Sequence, residues 1–181
     1  MSTLHPPVKR LNRVLINSLC VQAAASPRQR AAFNLHETSA DPVQRFLNVM
    51  QPGTYVRPHR HAGPTKWELT VVLSGRVVVL LLEPDGVVRE RIELDASGPE
   101  RGVELPPGVW HTCAALSPAA VLLEIKRGPY NAQTDKDFAA WAPPEGETEC
   151  ANFELRFRAA QPGDRLAARP PRDSQSALCD E

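Results

Sequence analysis

The chain has 181 residues, with 21 Lys plus Arg against 21 Asp plus Glu, so its formal net charge is zero and no global field draws it to nucleic acid or an anionic membrane. Apolar residues make up 42%, enough for one domain core, while 18 prolines and 10 glycines argue for many turns and little long helix. No run reaches the length of a membrane-spanning helix, and the opening Met-Ser-Thr-Leu-His-Pro-Pro lacks the apolar stretch of a signal peptide, so a cytoplasmic location is expected.

In chain order, Val8 to Ile16 reads as a short edge strand, Asn17 as a helix cap, and Ser18 to Ala25 as one or two helical turns. Arg28 and Arg30 read as a solvated face. Asn34 to His36 looks extended, and Asp41-Pro42 marks a turn. Strands are then expected at Gln44–Met50, Tyr55–His61, Leu69–Leu73, Val77–Leu82, Val87–Leu94, Val103–Leu105, Val109–Leu116 and Ala120–Lys126. Asp85-Gly86 is a hairpin signal. Val77–Leu82 has no polar residue on either face, so both faces should be buried. A barrel interior covers one; the N-terminal arm or a second chain is expected to cover the other. Thr134 to Phe138 reads as a loop or helical turn. Asn152–Arg158 fits a strand, because Phe153, Leu155 and Phe157 alternate, and equally a helix that includes Cys150. From about Arg165 the composition lacks apolar periodicity and predicts disorder. Cysteines 20, 113, 150 and 179 form no Cys-x-x-Cys pair and are expected as free thiols.

The chemistry concentrates between Gly53 and Gly75. His59 and His61 are two apart, which on extended backbone puts both imidazoles on one face. Neutral imidazole is the commonest side-chain metal ligand, and a paired set on one face invites a divalent ion. Glu68 follows after six residues as an oxygen ligand, or as a carboxylate that only supports the ligands. His111 comes after the Pro106-Pro107-Gly108 turn. Cys113 should share the inward face with His111, more as a small apolar filler than as a ligand. His36 and Asn34 lie outside these strands and fit structural roles. Trp67 and Trp110 flank the ligands and should pack the wall. By the same period of two, Tyr55 and Arg57 should point inward with the histidines. Arg57 would then hold an anionic group of a substrate, with Tyr55 donating a second hydrogen bond; a structural pair of Arg57 with an inward carboxylate such as Glu124 is the equal alternative.

These residues resemble the cupin superfamily. Gly53, His59, His61, Glu68 and Gly75 follow its first motif, apart from the long spacer before Glu68. Pro106, Gly108 and His111 follow its second, although Gly102 stands two residues too close to Pro106 and Ala115 replaces the usual asparagine. The chain is more closely similar to WbuC-like cupins in Tyr-Val-Arg-Pro-His-Arg-His (55–61), Lys-Trp-Glu (66–68), Pro-Pro-Gly-Val-Trp-His (106–111), Gly-Pro-Tyr (128–130), Asp135–Phe138 and Trp141-Ala142-Pro143.

The resemblance implies an all-β fold, an antiparallel β-barrel or jelly-roll over residues 43–130. An N-terminal arm (1–42), a C-terminal extension (131–164) and a disordered tail (165–181) would flank it. It also implies one divalent transition metal, Fe, Mn, Ni, Co or Zn, held by His59, His61, Glu68 and His111. The expected partners are a small-molecule ligand and a second copy in a homodimer, with neither nucleic acid nor membrane. The expected function is a metal-dependent enzyme on a small polar or anionic substrate, extending to a sugar or sugar nucleotide of surface-polysaccharide (O-antigen-type) biosynthesis. An Fe(II)-dependent dioxygenase and a non-catalytic metal-dependent binding module stay open as alternatives.

Overall fold

The computed structural model describes residues 8–61 and 63–167. Helix α1 (Arg13–Ala25) comes first. It is followed by β1 (Arg30–Asn34), β2 (Val43–Met50), β3 (His59–Arg60), β4 (Glu68–Ser74), β5 (Arg76–Leu82), β6 (Val88–Asp95), β7 (Gly102–Leu105), β8 (Trp110–Ala115), β9 (Ala120–Arg127), β10 (Asp137–Phe138) and helix α2 (Cys150–Ala159).

The edge strand expected over Val8–Ile16 is not formed, and the cap is Asn12 rather than Asn17. The Asn12 side-chain oxygen accepts the Leu15 N–H at 3.0 Å, the bond that satisfies an orphan donor of the first turn. From there Leu15, Leu19 and Ala23, with Ile16 and Cys20, recur at helical spacing and form one apolar stripe. That stripe packs on Ala31, Phe33, Leu47, Val49, Val121 and Leu123, the outer face of the first sheet.

The strands form two five-stranded antiparallel sheets, ordered β1-β2-β9-β4-β7 and β10-β3-β8-β5-β6. Their facing sides enclose a core of Met50, Val72, Val77, Val79, Leu81, Leu94 and Leu122. Two opposed antiparallel sheets with few helices fit a cupin jelly-roll.

Strand β5 is buried on both faces, as its sequence requires, but neither expected cover supplies the second. Val77, Val79 and Leu81 enter the barrel core, and Val78, Leu80 and Leu82 pack beneath α2 against Phe157, Ala160 and Leu166. The burial argument for a homodimer at this strand therefore falls away. The open choice at Asn152–Arg158 resolves as helix, because Cys150, Glu154 and Phe157 fall on one helical face and are all buried. Buried Glu154 accepts the Gly53 N–H at 3.0 Å, pinning α2 to the turn that precedes the histidines, and forms an ion pair with Arg158 at 3.1 Å. Gly53 has φ +99°, a conformation that favours glycine.

Two further expectations change. Asp137–Phe138 is a short strand that pairs with His59–Arg60, not a loop or helical turn. The chain also stays ordered at the start of the expected tail. Leu166 is buried in the cluster beneath α2, and the Arg165 guanidinium pairs with Asp85 at 2.7 Å. The rest of that expectation, from 168, lies outside the described residues. No helix among the described residues is long and apolar enough to cross a membrane.

Candidate metal centre

Three elements bring the four expected ligands together. Strand β3 pairs with β8 so that His59 stands opposite His111. The Gly108 N–H donates to the His61 carbonyl at 2.9 Å, which ties the turn before His111 to the end of the His-x-His stretch. Gly108 has φ +83°, as that turn requires. Glu68 opens β4 on the opposite sheet. One ligand atom from each of His59, His61, Glu68 and His111 lies within 4.8 Å of all the others, and all four residues are buried.

The imidazoles are oriented by the backbone. Nδ1 of His59 donates to the Arg57 carbonyl at 2.9 Å, Nδ1 of His111 to the Val109 carbonyl at 2.9 Å, and Nδ1 of His61 to the Asp135 carbonyl at 2.7 Å. A carbonyl only accepts, so each Nδ1 carries the proton and each Nε2 keeps its lone pair for the interior. His61 Nε2 then stands 2.6 Å from Glu68 Oε2. Two lone-pair atoms repel at that distance unless a proton or a cation lies between them. Three imidazole nitrogens and one carboxylate converging on one point fit a divalent transition ion, and the donor set suits several of them.

Electrostatics keep the donors in ligand form. Burial holds His59 well below the usual imidazole range, with help from the charge of Lys136. Burial likewise lowers His111 against the opposing pull of Glu68. Burial works against ionised Glu68, but the close contact with His61, with the charge of Lys136 adding to it, outweighs burial and holds the carboxyl well below its ordinary value.

His59, Glu68 and His111 line a cavity of about 490 Å³, within the range of small-molecule sites. Its walls are uneven in chemistry. Val77, Val79 and Cys113 come from the second sheet, while Phe46, Asn48, Thr70, Glu124 and Lys126 come from the first. Burial pushes the Glu124 carboxyl up to about 7, with the Glu68 charge adding to it, and Asn48 donates to it at 2.7 Å. Burial also raises the Cys113 thiol far above its ordinary value, so it stays protonated; its sulfur lies 3.9 Å from that of Met50 and serves as filler.

Tyr55 and Arg57 do not line the cavity. The chain before Pro58 is not part of a sheet ladder, so the period of two does not hold there, and Val56 faces the cavity instead. The Tyr55 hydroxyl donates to the Pro143 carbonyl at 2.9 Å and its ring stacks on Phe157 at 5.8 Å. Arg57 donates to the Ala139 carbonyl at 3.2 Å and lies 5.1 Å from the Phe138 ring centroid. The alternative pair of Arg57 with Glu124 is not formed either, since Glu124 is held by Asn48. His36 accepts the Arg45 N–H at 3.0 Å, a structural role. Arg28 and Arg30 share Glu145 at 2.6 and 2.9 Å rather than standing free in solvent. Trp110 packs at the edge of the cluster beneath α2, with the Arg60 guanidinium 4.9 Å from its ring.

Sequence reasoning gave no role to Asp135, Lys126 or Lys136. Lys126 and Asp135 are both buried and pair at 2.7 Å, and the Asp135 carbonyl is what orients His61. The signal in the sequence was the alternation Leu122, Glu124, Lys126, which sets two charges on the inward face of a strand.

Fold and site together define a cupin-type barrel with a buried cluster able to hold a metal ion. A family model described as "Domain of unknown function (DUF6016)" matches residues 11–94, a stretch that includes His59, His61 and Glu68 but ends before His111. No curated protein matches the chain. Among solved structures, the capsular polysaccharide assembling protein CapF from Staphylococcus aureus is similar, with 24% identity over 62% of this chain and 32% of that one, at a TM-score of 0.50. The match thus spans about a third of CapF, and at this identity the likeness is one of fold. A cupin superfamily protein from Desulfitobacterium hafniense shows 21% identity over 67% of this chain and 93% of that one, at a TM-score of 0.47. KdgF from Halomonas sp. shows 18% identity over 57% and 82%, at 0.44.

Proposed function

We propose that the chain is a metal-dependent enzyme acting on a small polar or anionic substrate bound beside His59, His61, Glu68 and His111. The observation that carries this reading is the orientation of the ligands. Three Nε2 lone pairs, each fixed by a backbone carbonyl on Nδ1, meet one carboxylate inside 4.8 Å, and His59, Glu68 and His111 of this set line a cavity. A purely structural histidine cluster has no need to present three lone pairs and a carboxylate to one point. A divalent ion held there would supply Lewis acidity to a substrate oxygen. This chain's own residues fix the imidazole tautomers and keep a carboxyl, Glu124, within the same cavity.

We extend the proposal to a sugar or sugar nucleotide of surface-polysaccharide synthesis. The WbuC-like motifs support that extension, and so does the fold shared with CapF, a capsular polysaccharide assembling protein; both are analogies of family and fold. Elemental analysis of the purified native protein, followed by a turnover screen of a metabolite pool with the identified metal, tests the reading. About one transition ion per chain and a metal-dependent change in one metabolite are expected. Metal-free native protein that neither takes up added ions nor alters the pool defeats it. Oxygen uptake tracking a metabolite identifies a dioxygenase, and metal-dependent binding without product identifies a binding module.

A further inference from the structure

The wall facing the imidazoles is polar where a barrel interior is ordinarily apolar. Glu124 on β9 stands across from Thr70 on β4, and Glu68 lies two residues before Thr70 on the same face, about 7 Å along the strand. Asn48 on β2 reaches Glu124 with one hydrogen bond of 2.7 Å. That single bond leaves the second Glu124 oxygen and the Asn48 carbonyl oxygen able to accept, and Thr70 adds a hydroxyl. All three side chains line the cavity. A carboxylate, an amide and a hydroxyl, each partly buried on one wall, offer a cluster of hydrogen-bonding groups to whatever occupies the cavity.

The same cavity also holds a cation. Lys136 follows Asp135, whose carbonyl holds His61, and it lines the same cavity as His59 and His111. Asp135 pairs with Lys126 and Lys66, and Lys136 enters no ion pair among the described residues.

We infer that the cavity is built for a polyhydroxylated carboxylate, its carboxylate held at the Lys136 and imidazole side and its hydroxyls hydrogen-bonded to Glu124, Asn48 and Thr70. The inference rests on the metal-centre reading above and narrows its substrate class. Lys136 takes the anchoring role that Arg57 cannot fill, since Arg57 is turned away to Ala139 and Phe138.

The test uses the full chain loaded with cobalt(II), whose absorption spectrum reports ligand binding, and two probes. Gluconate carries a carboxylate and five hydroxyls, and hexanoate has the same carbon count without hydroxyls. Cobalt retained after desalting is measured for every variant. Gluconate should bind about tenfold or more tighter than hexanoate. Glu124→Gln and Asn48→Ala should each remove about tenfold of gluconate affinity and leave hexanoate unchanged, whereas Lys136→Met should weaken both probes by a similar factor. Equal affinities for the two probes, binding of neither to cobalt-loaded protein, or a gluconate preference kept intact in both wall variants overturns the inference while the metal reading stands. Failure of the wild-type chain to retain cobalt overturns both. Asn48→Ala, which removes a half-buried side chain, keeps the test available if Glu124→Gln does not fold.

Discussion

The buried Asp135 carboxylate accepts the Lys126 ammonium at 2.7 Å while its own backbone carbonyl accepts His61 Nδ1 at the same distance. One residue of the chain after β9 thus closes an ion pair to the first sheet and fixes a candidate metal ligand on the second. Removing its carboxylate would strand Lys126, only 7% exposed, without a partner. Asp135→Ala should therefore lose about 3 kcal/mol of stability in denaturant melts, the scale of a broken buried pair. It should also weaken metal binding about tenfold by loosening His61. Unchanged metal affinity in a destabilised Asp135→Ala protein would restrict the residue to structure.

The ligand set predicts a sharp stoichiometric result. His59→Ala/His61→Ala removes two of four converging donors, so metal content should fall from near one ion per chain to near none, as read by elemental analysis. Retention of a full complement would dismiss the assignment. Tyr55→Phe, by contrast, should leave metal content unaltered, because the hydroxyl is spent on the Pro143 carbonyl outside the cavity.

Glu124 gives a pH signature in protein stripped of metal by chelation. Its carboxyl is raised from the ordinary 4.5 to about 7 by burial first and by Glu68 second. Between those values the folded chain holds a proton that the unfolded chain has released. The stabilisation from that proton is complete below about pH 4.5 and lost as pH rises through about 7. Glu124→Gln cannot lose it. The variant should match wild type near pH 4.5 and exceed it by about 3 kcal/mol at pH 8, in urea melts across that window. Parallel stability curves would show that Glu124 ionises freely in the fold.

Phe157 tests the cover over β5. It is fully buried, stacks on Tyr55 and belongs to the cluster that holds Val78, Leu80 and Leu82. Phe157→Ala should cost about 3 to 5 kcal/mol, the range for emptying an aromatic site in a core. Metal content per folded chain should not change. A loss under about 1 kcal/mol would mean that another surface, such as a second chain, supplies the cover.

The amino-acid sequence alone indicated most of the strands and their turns, and with them the four candidate ligand positions. Those signals are short-range: alternation along β2 and β6, the Asp85-Gly86 hairpin, the His-x-His pair, and the turn ending at Gly108. Each is set by neighbours a few residues apart, so it can be read without knowing what lies across the sheet. The Leu15, Leu19 and Ala23 stripe was equally legible, and its helix differs from the expected strand because the cap at Asn12 decides where the period of 3.6 begins. Only the tertiary structure decided the rest. Asn48 meets Glu124 through the pairing of β2 with β9, and α2 reaches the outer face of β5 from more than sixty residues away in sequence. Arg57 failed the inward rule because no partner strand holds the backbone before Pro58 to an alternating pleat. Period and turn chemistry are properties of the local chain; which wall faces the metal, and which segment covers a buried strand, depend on pairings between distant segments that local preference does not encode.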